Sequence, residues 1–98
     1  MPYPHHMMRA EFRELDDAIV LKVCGRLAEG WVGELEQCWR SARATHPASR
    51  LSVDLRGVSF IDQAGESLLN LMYRDGATFL AGGLMIKEVV SQITGGSR

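Results

Sequence analysis

Hydrophobic and polar residues change their period along the chain, and these changes predict its secondary structure. Residues 18–25 are rich in apolar and β-branched residues and predict a strand. A short strand over residues 11–16 precedes it, with Asp16-Asp17 as the turn, and the pair suggests an antiparallel hairpin. Over residues 31–45 the apolar positions recur at helical spacing, and Pro47 ends that helix. Residues 50–55 alternate between apolar and polar again, which predicts a third strand.

The second half of the chain predicts two further helices around one short strand. Asp62 follows the apolar stretch 58–61, and its side chain is suited to cap the free N–H groups at the start of a helix. Gly76 ends that helix, and residues 77–81 form the strand. The predicted inner faces are Ala64, Leu68, Leu71 and Met72 in the first helix, and Met85 or Ile86 with Val89, Val90 and Ile93 in the second.

The predicted order is therefore β-β-α-β-α-β-α in one α/β domain. We expect residues 1–10 to form a flexible tail and residues 11–98 to form the domain. Strands joined through a helix favour parallel pairing, whereas the first two strands favour an antiparallel hairpin. A four-stranded mixed sheet with three helices mainly on one face follows.

Composition and charge exclude several classes of function. The formal net charge is −1, so no broad basic field attracts nucleic acid. No apolar stretch approaches the roughly 20 residues that cross a bilayer, which argues against direct membrane insertion. The first residues do not resemble a secretion signal. Cys24 and Cys38 fit small, buried and reduced positions, so a cytoplasmic location is expected.

Candidate chemistry is sparse and favours a protein that is not an enzyme. Asp62 is either a helix cap or an acid at an interface, and Asp54 lies on the polar side of a strand, where a solvated carboxylate is expected. No third acid or histidine is spaced to make this pair a catalytic unit. The histidines have no partners at metal-ligand spacing, and Gly82-Gly83 does not belong to a phosphate-binding motif. No metal or other cofactor is predicted.

One segment carries a resemblance to a known family. Residues 53–65, with the sequence VDLRGVSFIDQAG, resemble the signature V-D-L-x-x-V-x-F-I-D-x-x-G of STAS domains, and Gly25-Arg26-Leu27 matches the G-x-L before their first helix. The resemblance covers roughly residues 11–95. It implies a STAS-like fold and a small, cytoplasmic, bacterial signalling module that acts in transcription regulation, as anti-sigma factor antagonists do.

The same resemblance marks a departure from the family pattern. In regulated members a serine follows the motif aspartate, and its phosphorylation releases the partner through the added charge. Here Gln63 follows Asp62, and an amide cannot accept a phosphoryl group. The phosphorylation switch is therefore predicted to be absent at this position, or to have moved to Ser59 or Ser67.

The resulting hypothesis is a protein-binding regulatory module without catalytic activity that is not switched at the usual site. Its partner would be an anti-sigma or kinase-like protein; the alternative is an accessory subunit of an ABC-type membrane transport assembly, bound to the ATPase. The residues expected to contact the partner are Arg56, Asp62, Gln63, Ala64, Gly65 and Glu66.

Two further expectations accompany this hypothesis. Many STAS domains add a strand and a helix after the last element predicted here, so the N-terminal tail, or a second copy in a homodimer, could complete the sheet edge. Replacement of Asp62 by lysine or Gly65 by tryptophan is expected to weaken partner binding without unfolding the domain.

Overall fold

The computed structural model describes residues 8–95 and has the predicted order of elements. Residues 1–7 of the predicted tail lie outside the described residues. The strands are β1 Met8–Leu15, β2 Ala18–Leu27, β3 Arg50–Ile61 and β4 Thr78–Leu80. The helices are α1 Gly30–Thr45, α2 Gln63–Arg74 and α3 Leu84–Thr94.

The four strands form one mixed sheet in the order β1-β2-β3-β4, which confirms the predicted fold class. β1 pairs with β2 antiparallel, while β2 with β3 and β3 with β4 are parallel and connected through α1 and α2. β4 is short and pairs only with residues 52–54 of β3. The remainder of β3 therefore has a single neighbouring strand, β2, among the described residues.

The hydrophobic core lies between one face of the sheet and the three helices. Alternate residues of the two central strands point into it, because side chains of a strand alternate between its faces. Leu21 and Val53 are opposite each other in the pairing and fully buried, whereas the next residue of β2, Lys22, is exposed on the other face. The helices contribute Leu35, Trp39, Ala42, Leu68, Leu69, Met72 and Ile86 to the core.

The inner face of α2 differs from the prediction. Leu71 was predicted to face the core but is 43% exposed, and the neighbouring Leu69 is fully buried instead. The buried face consists of Gly65, Leu68, Leu69 and Met72, which is an i, i+3, i+4, i+7 series. The predicted series started from Ala64, which is exposed, because Gly65 has no side chain to mark it as an inner position.

β1 starts earlier than predicted, and in α3 the structure decides between the two alternatives for the first core position. β1 begins at Met8, and that side chain is buried, so residues 8–10 are strand and not tail. In α3 the core position is Ile86, whereas Met85 is 53% exposed. Both cysteines are free and half-buried, less enclosed than predicted, with Cys24 on β2 and Cys38 on α1.

β3 is longer than predicted because two irregularities carry it past residue 55. Its pairing with β2 shifts between Lys22 and Cys24 and again between Gly25 and Arg26, and each time β3 contains one residue more than β2. Such bulges bend a strand and re-aim the side chains beyond them. At the first one, a Cβ on Gly57 would lie 2.7 Å from the Cys24 sulfur, so a larger residue would require the Cys24 side chain to move. Beyond both bulges Ile61 is again buried, and the next residue leaves the sheet.

Candidate functional site

The carboxyl ends of β2 and β3 bring two loops together at one end of these parallel strands. The last paired residues are Leu27 and Ile61, which lie opposite each other because the two strands are parallel. The chain continues from Leu27 through Ala28 and Glu29 into α1, and from Ile61 through Asp62 into α2. The first turns of both helices therefore emerge side by side at the carboxyl ends of these strands.

Asp62 connects these two loops, and its predicted role as a helix cap is confirmed. One carboxylate oxygen accepts a hydrogen bond from the backbone N–H of Gly65 at 2.8 Å, which caps α2. The other accepts from the backbone N–H of Glu29 at 3.0 Å, 33 residues earlier in the chain. The N–H of Asp62 itself donates to the carbonyl oxygen of Leu27 at 3.1 Å. We call Leu27, Glu29, Asp62 and Gly65 the loop clamp.

The electrostatics of the clamp keep Asp62 ionised. The backbone N–H of Gly65, followed by that of Glu29, lowers the pKa of the Asp62 carboxyl, because hydrogen bonds to the charged form favour it. Partial desolvation acts in the opposite direction and is the weaker influence. Each of the two carboxylate oxygens accepts a hydrogen bond from a different loop, so the negative charge is directed at the protein's own backbone.

Glu29 has the most unusual backbone conformation in this region. Its φ of 56° and ψ of −130° make it the one non-glycine residue with positive φ among residues 8–95. Such conformations cost about 1–3 kcal/mol for a residue with a side chain. The hydrogen bond to Asp62 is made by the N–H of this strained residue. Sequence reasoning missed Glu29, since glutamate is not a residue that signals a left-handed position.

Gly65 is required by how closely α2 approaches the end of β2. A Cβ at this position would lie 2.7 Å from the carbonyl oxygen of Leu27 and 2.9 Å from a methyl carbon of Ile61. Backbone cannot move aside cheaply, so a tryptophan here would displace the helix. Lysine at Asp62 would likewise remove both clamp hydrogen bonds. Both substitutions are therefore expected to lower the stability of the fold as well as partner binding.

The other predicted residues of α2 occupy its first turn at the surface. Gln63 and Ala64 are exposed, and Glu66 is half-buried. Across the clamp, the exposed Glu29 and Gly30 begin α1. We call these five residues the loop surface: Glu29, Gly30, Gln63, Ala64 and Glu66.

Arg56 contacts a different part of the fold. Its guanidinium donates two hydrogen bonds to the carboxylate of Asp54, at 3.0 and 2.9 Å, and its N–H donates a third. A Cβ on Gly82, in the connection between β4 and α3, would lie 3.4 Å from Arg56. The predicted contact residues thus separate into Arg56 on the helix-free face of the sheet and the α2 residues around Asp62.

Asp54 is not the solvated carboxylate that its position on the polar side of β3 predicted. It is only 6% exposed, and the Arg56 side chain that hydrogen-bonds it is itself 63% exposed. The hydrogen bonds from the Arg56 side chain lower the pKa of Asp54 and outweigh the effect of burial. The same pairing raises the pKa of Arg56. Asp54 points away from the helices, as the alternation of side chains along β3 predicts. The bulge after it brings the Arg56 side chain back over its carboxylate.

Ser59 and Ser67, the two alternative positions for phosphorylation, are both exposed. The Ser59 hydroxyl donates to the carbonyl oxygen of Gly25 at 3.3 Å, across from β3 to β2. The position after Asp62 is held by Gln63, whose side chain is at the surface.

Residues 8–95 contain neither a metal-binding cluster nor a helix suited to cross a membrane. No group of three or more His, Cys, Asp and Glu side chains in this part of the chain is arranged to hold a metal ion. None of the helices described there has the length and apolar character needed to cross a membrane.

Comparison with solved structures identifies the fold. An anti-sigma factor antagonist from Mycobacterium paratuberculosis superposes with a TM-score of 0.77 at 23% identity, over 92% of this chain and 80% of that one. A STAS-domain anti-sigma factor antagonist from Rhodobacter sphaeroides gives 0.54 at 15% identity, covering 82% and 90%. A DUF3478-family protein with a SpoIIAA-like fold from Shewanella loihica gives 0.56 at 15% identity, covering 87% and 75%.

The class of fold is thereby defined: the chain has the STAS, or SpoIIAA-like, fold, as its signature segment predicted. No protein-family model and no curated protein matches the sequence. At these levels of identity the likeness establishes architecture, and function must be argued from the site.

Proposed function

We propose that this protein is a STAS-family regulatory module that binds a protein partner through the loop surface and catalyses no reaction. Its fold is that of anti-sigma factor antagonists, with a TM-score of 0.77 to one of them. The observation that carries the proposal is the loop clamp, because it joins the starts of α1 and α2 into one surface of fixed shape. A surface that is already ordered loses less conformational entropy when a partner binds.

The chemistry of the loop surface suits a protein partner better than a small charged ligand. Gln63 and Ala64 are neutral and exposed, and the adjacent charged residues, Glu29 and Glu66, are both acidic. The Asp62 carboxylate is already engaged by backbone N–H groups and adds negative charge to the start of α2. A partner with a neutral or basic contact patch fits this surface. An anti-sigma factor of the kinase-like kind is the partner we propose.

Binding at this surface is not controlled by phosphorylation of the residue after Asp62 in this proposal. An amide at Gln63 offers no hydroxyl to a kinase, and its exposed side chain is free to contact the partner as a hydrogen-bond donor and acceptor. The module would then bind whenever both proteins are present. Regulation would act through the amount of either protein.

The test begins with proteins that copurify with the tagged chain from its own cell, identified by mass spectrometry. The recovered anti-sigma factor is then purified, and its affinity for wild type and for Gln63→Arg and Ala64→Arg is measured by calorimetry. Both exposed substitutions are expected to weaken binding by about tenfold or more, with unchanged thermal unfolding. Gln92→Arg, an exposed position on α3, is the matched control and should bind like wild type.

Two results would overturn the proposal. If Gln63→Arg and Ala64→Arg both bind the partner with wild-type affinity, the loop surface is not part of the interface. Recovery of a membrane transport ATPase in place of an anti-sigma factor would support the alternative assembly predicted from the sequence.

A further inference from the structure

β1 is an edge strand whose outer side is unpaired within the described part of the chain. It pairs with β2 along all of residues 8–15, and no described strand lies beyond it. The outer edge of such a strand presents backbone N–H and C=O groups that can pair with another chain. At eight residues β1 is long enough for this, whereas the opposite edge strand, β4, has only three.

A partly apolar groove of about 530 Å³ runs beside this edge, between β1 and α1. Phe12 lies on its wall and is 46% exposed, with its ring edge-on to His46 at a centroid distance of 6.0 Å. Leu21 of β2 and Cys38 of α1 also line it. Any chain that pairs with the outer edge of β1 would therefore also cover an exposed aromatic ring.

The charges on the other side of β1 alternate in sign along the strand. Arg9, Glu11 and Arg13 share the helix-free face, because Glu11 lies opposite the exposed Lys22 of β2 and side chains alternate along a strand. Arg9 and Glu11 already form an ion pair at 2.6 Å within the chain. This order of charges restricts how two copies of β1 can lie side by side.

We propose that two copies of this chain associate through antiparallel pairing of their β1 strands, about a twofold axis at Phe12. In this register Glu11 of each copy lies opposite Arg13 of the other, so the interface contains two symmetric ion pairs. The two Phe12 rings meet at the axis, where aromatic pairs across strands are favourable. Residues 9–15 of both strands are paired, and the two four-stranded sheets become one continuous sheet. An interface of this kind is self-complementary, as a twofold dimer requires.

Neighbouring registers are less favourable on the same grounds. An axis at Glu11 places Glu11 against Glu11 and Arg9 against Arg13, and an axis at Arg13 places two arginines together. Like charges directly opposite each other destabilise a strand pair. An axis at Ala10 also pairs opposite charges, Arg9 with Glu11, but engages only residues 8–12 of the described strand and leaves Arg13 out. Arg13 therefore distinguishes the two registers, because it forms an ion pair across the interface only when the axis lies at Phe12.

The experiment is a charge exchange, followed by sedimentation equilibrium over a range of concentrations in reducing buffer. Glu11→Arg and Arg13→Glu should each raise the dimer dissociation constant by about tenfold or more, since each creates two like-charged pairs. The double variant E11R/R13E should return to near the wild-type constant. An equimolar mixture of the two single variants should form a heterodimer, because one strand then carries only arginine and the other only glutamate at these positions.

Matched controls place the same charge changes on α3, away from β1. Glu88→Arg and Lys87→Glu alter the net charge by the same amounts as the β1 variants and should leave the dissociation constant unchanged. Circular dichroism and thermal unfolding of every variant establish that the fold is retained.

Three outcomes would overturn the inference. If the wild-type protein sediments as a monomer at all concentrations, the proposed dimer does not form. A dimer that is insensitive to Arg13→Glu would exclude the register centred on Phe12. Equal weakening by the α3 control variants would attribute the effect to net charge.

Discussion

The carboxylate of Asp62 accepts a hydrogen bond from the backbone N–H of Glu29 at 3.0 Å, although 33 positions separate the two residues. Glu29 is the residue with positive φ at the start of α1, and Asp62 caps α2. One side chain thus holds a strained loop and begins a helix. The position of α1 relative to α2 depends on this contact, and so does the surface through which we propose that the protein binds.

Replacement of Glu29 by glycine should stabilise the protein by about 1 kcal/mol. Glycine adopts positive φ without steric cost, which removes about 1–3 kcal/mol of strain, while its greater freedom in the unfolded chain costs about 0.5–1 kcal/mol. Urea unfolding measures the difference. Glu29→Ala is the control, because alanine keeps a Cβ and hence the strain; stabilisation by alanine as large as by glycine would show that the glutamate side chain, and not φ, is responsible.

Two glycines at the starts of helices should respond in opposite ways to alanine. Gly65→Ala should destabilise the protein by about 1–3 kcal/mol, since its Cβ would meet the Leu27 carbonyl oxygen at 2.7 Å. Gly33→Ala in α1 should stabilise it by about 0.5–1 kcal/mol, because nothing lies within 4 Å of the added carbon and alanine favours a helix. Thermal or urea unfolding of both variants tests this pair. The same sign for both would contradict the close contact between α2 and β2.

Acid should destabilise the protein through the carboxyls of Asp54 and Asp62. Both have a lowered pKa in the folded protein, so the unfolded chain takes up protons first as the pH falls. Their contribution to stability is fully present above the ordinary carboxyl pKa of about 3.9 and is lost as the pH falls through the lower folded values. Urea midpoints measured from neutral pH downward should therefore decrease, most steeply below about pH 4.

The variants Asp54→Asn and Asp62→Asn separate the two contributions to that acid sensitivity. Asparagine does not titrate, so neither variant has the stability that a lowered carboxyl pKa gives the wild type. Each should be less stable than wild type at neutral pH and should lose less stability on acidification. At position 62 asparagine still caps the helix. A wild-type profile parallel to both variants at low pH would show that neither carboxyl is responsible.

The revised inner face of α2 predicts a contrast between two leucines, two positions apart in the same helix. Leu69→Ala should cost about 2–5 kcal/mol, because Leu69 is fully buried and its truncation leaves a cavity. Leu71→Ala should change stability by only about 0.5 kcal/mol, since that side chain is substantially exposed. Chemical denaturation of the two variants gives the comparison, and equal losses would return Leu71 to the core.

The sequence was sufficient to predict the order of elements, the mixed sheet and the capping role of Asp62, because each depends on local spacing. It could not predict which apolar stripe of α2 faces inward, since Ala64, Leu68, Leu71 and Met72 also recur at helical spacing. Gly65 belongs to the true inner face, and a glycine adds nothing to an apolar pattern. Packing against Leu27, which is distant in the chain, decided between the two stripes.

The site shows the same limit more clearly. The position of Asp54 on the polar side of β3 was evident from alternation, but its cover by Arg56 depends on a bulge that no local pattern marks. Glu29 was missed because its conformation is imposed by the approach of two loops. Contacts between segments far apart in sequence therefore account for most of what could not be predicted.

The short β4 strand has a consequence for motion. Because β4 ends opposite Asp54, residues 55–61 are held by hydrogen bonds to β2 alone among the described strands. Local opening of this segment would break one ladder and leave β1–β2 pairing intact, so its amides should exchange with solvent sooner than those of central β2. The loop surface is attached to the end of this segment, so the loop clamp, and not the β3 ladder, keeps that surface in one shape.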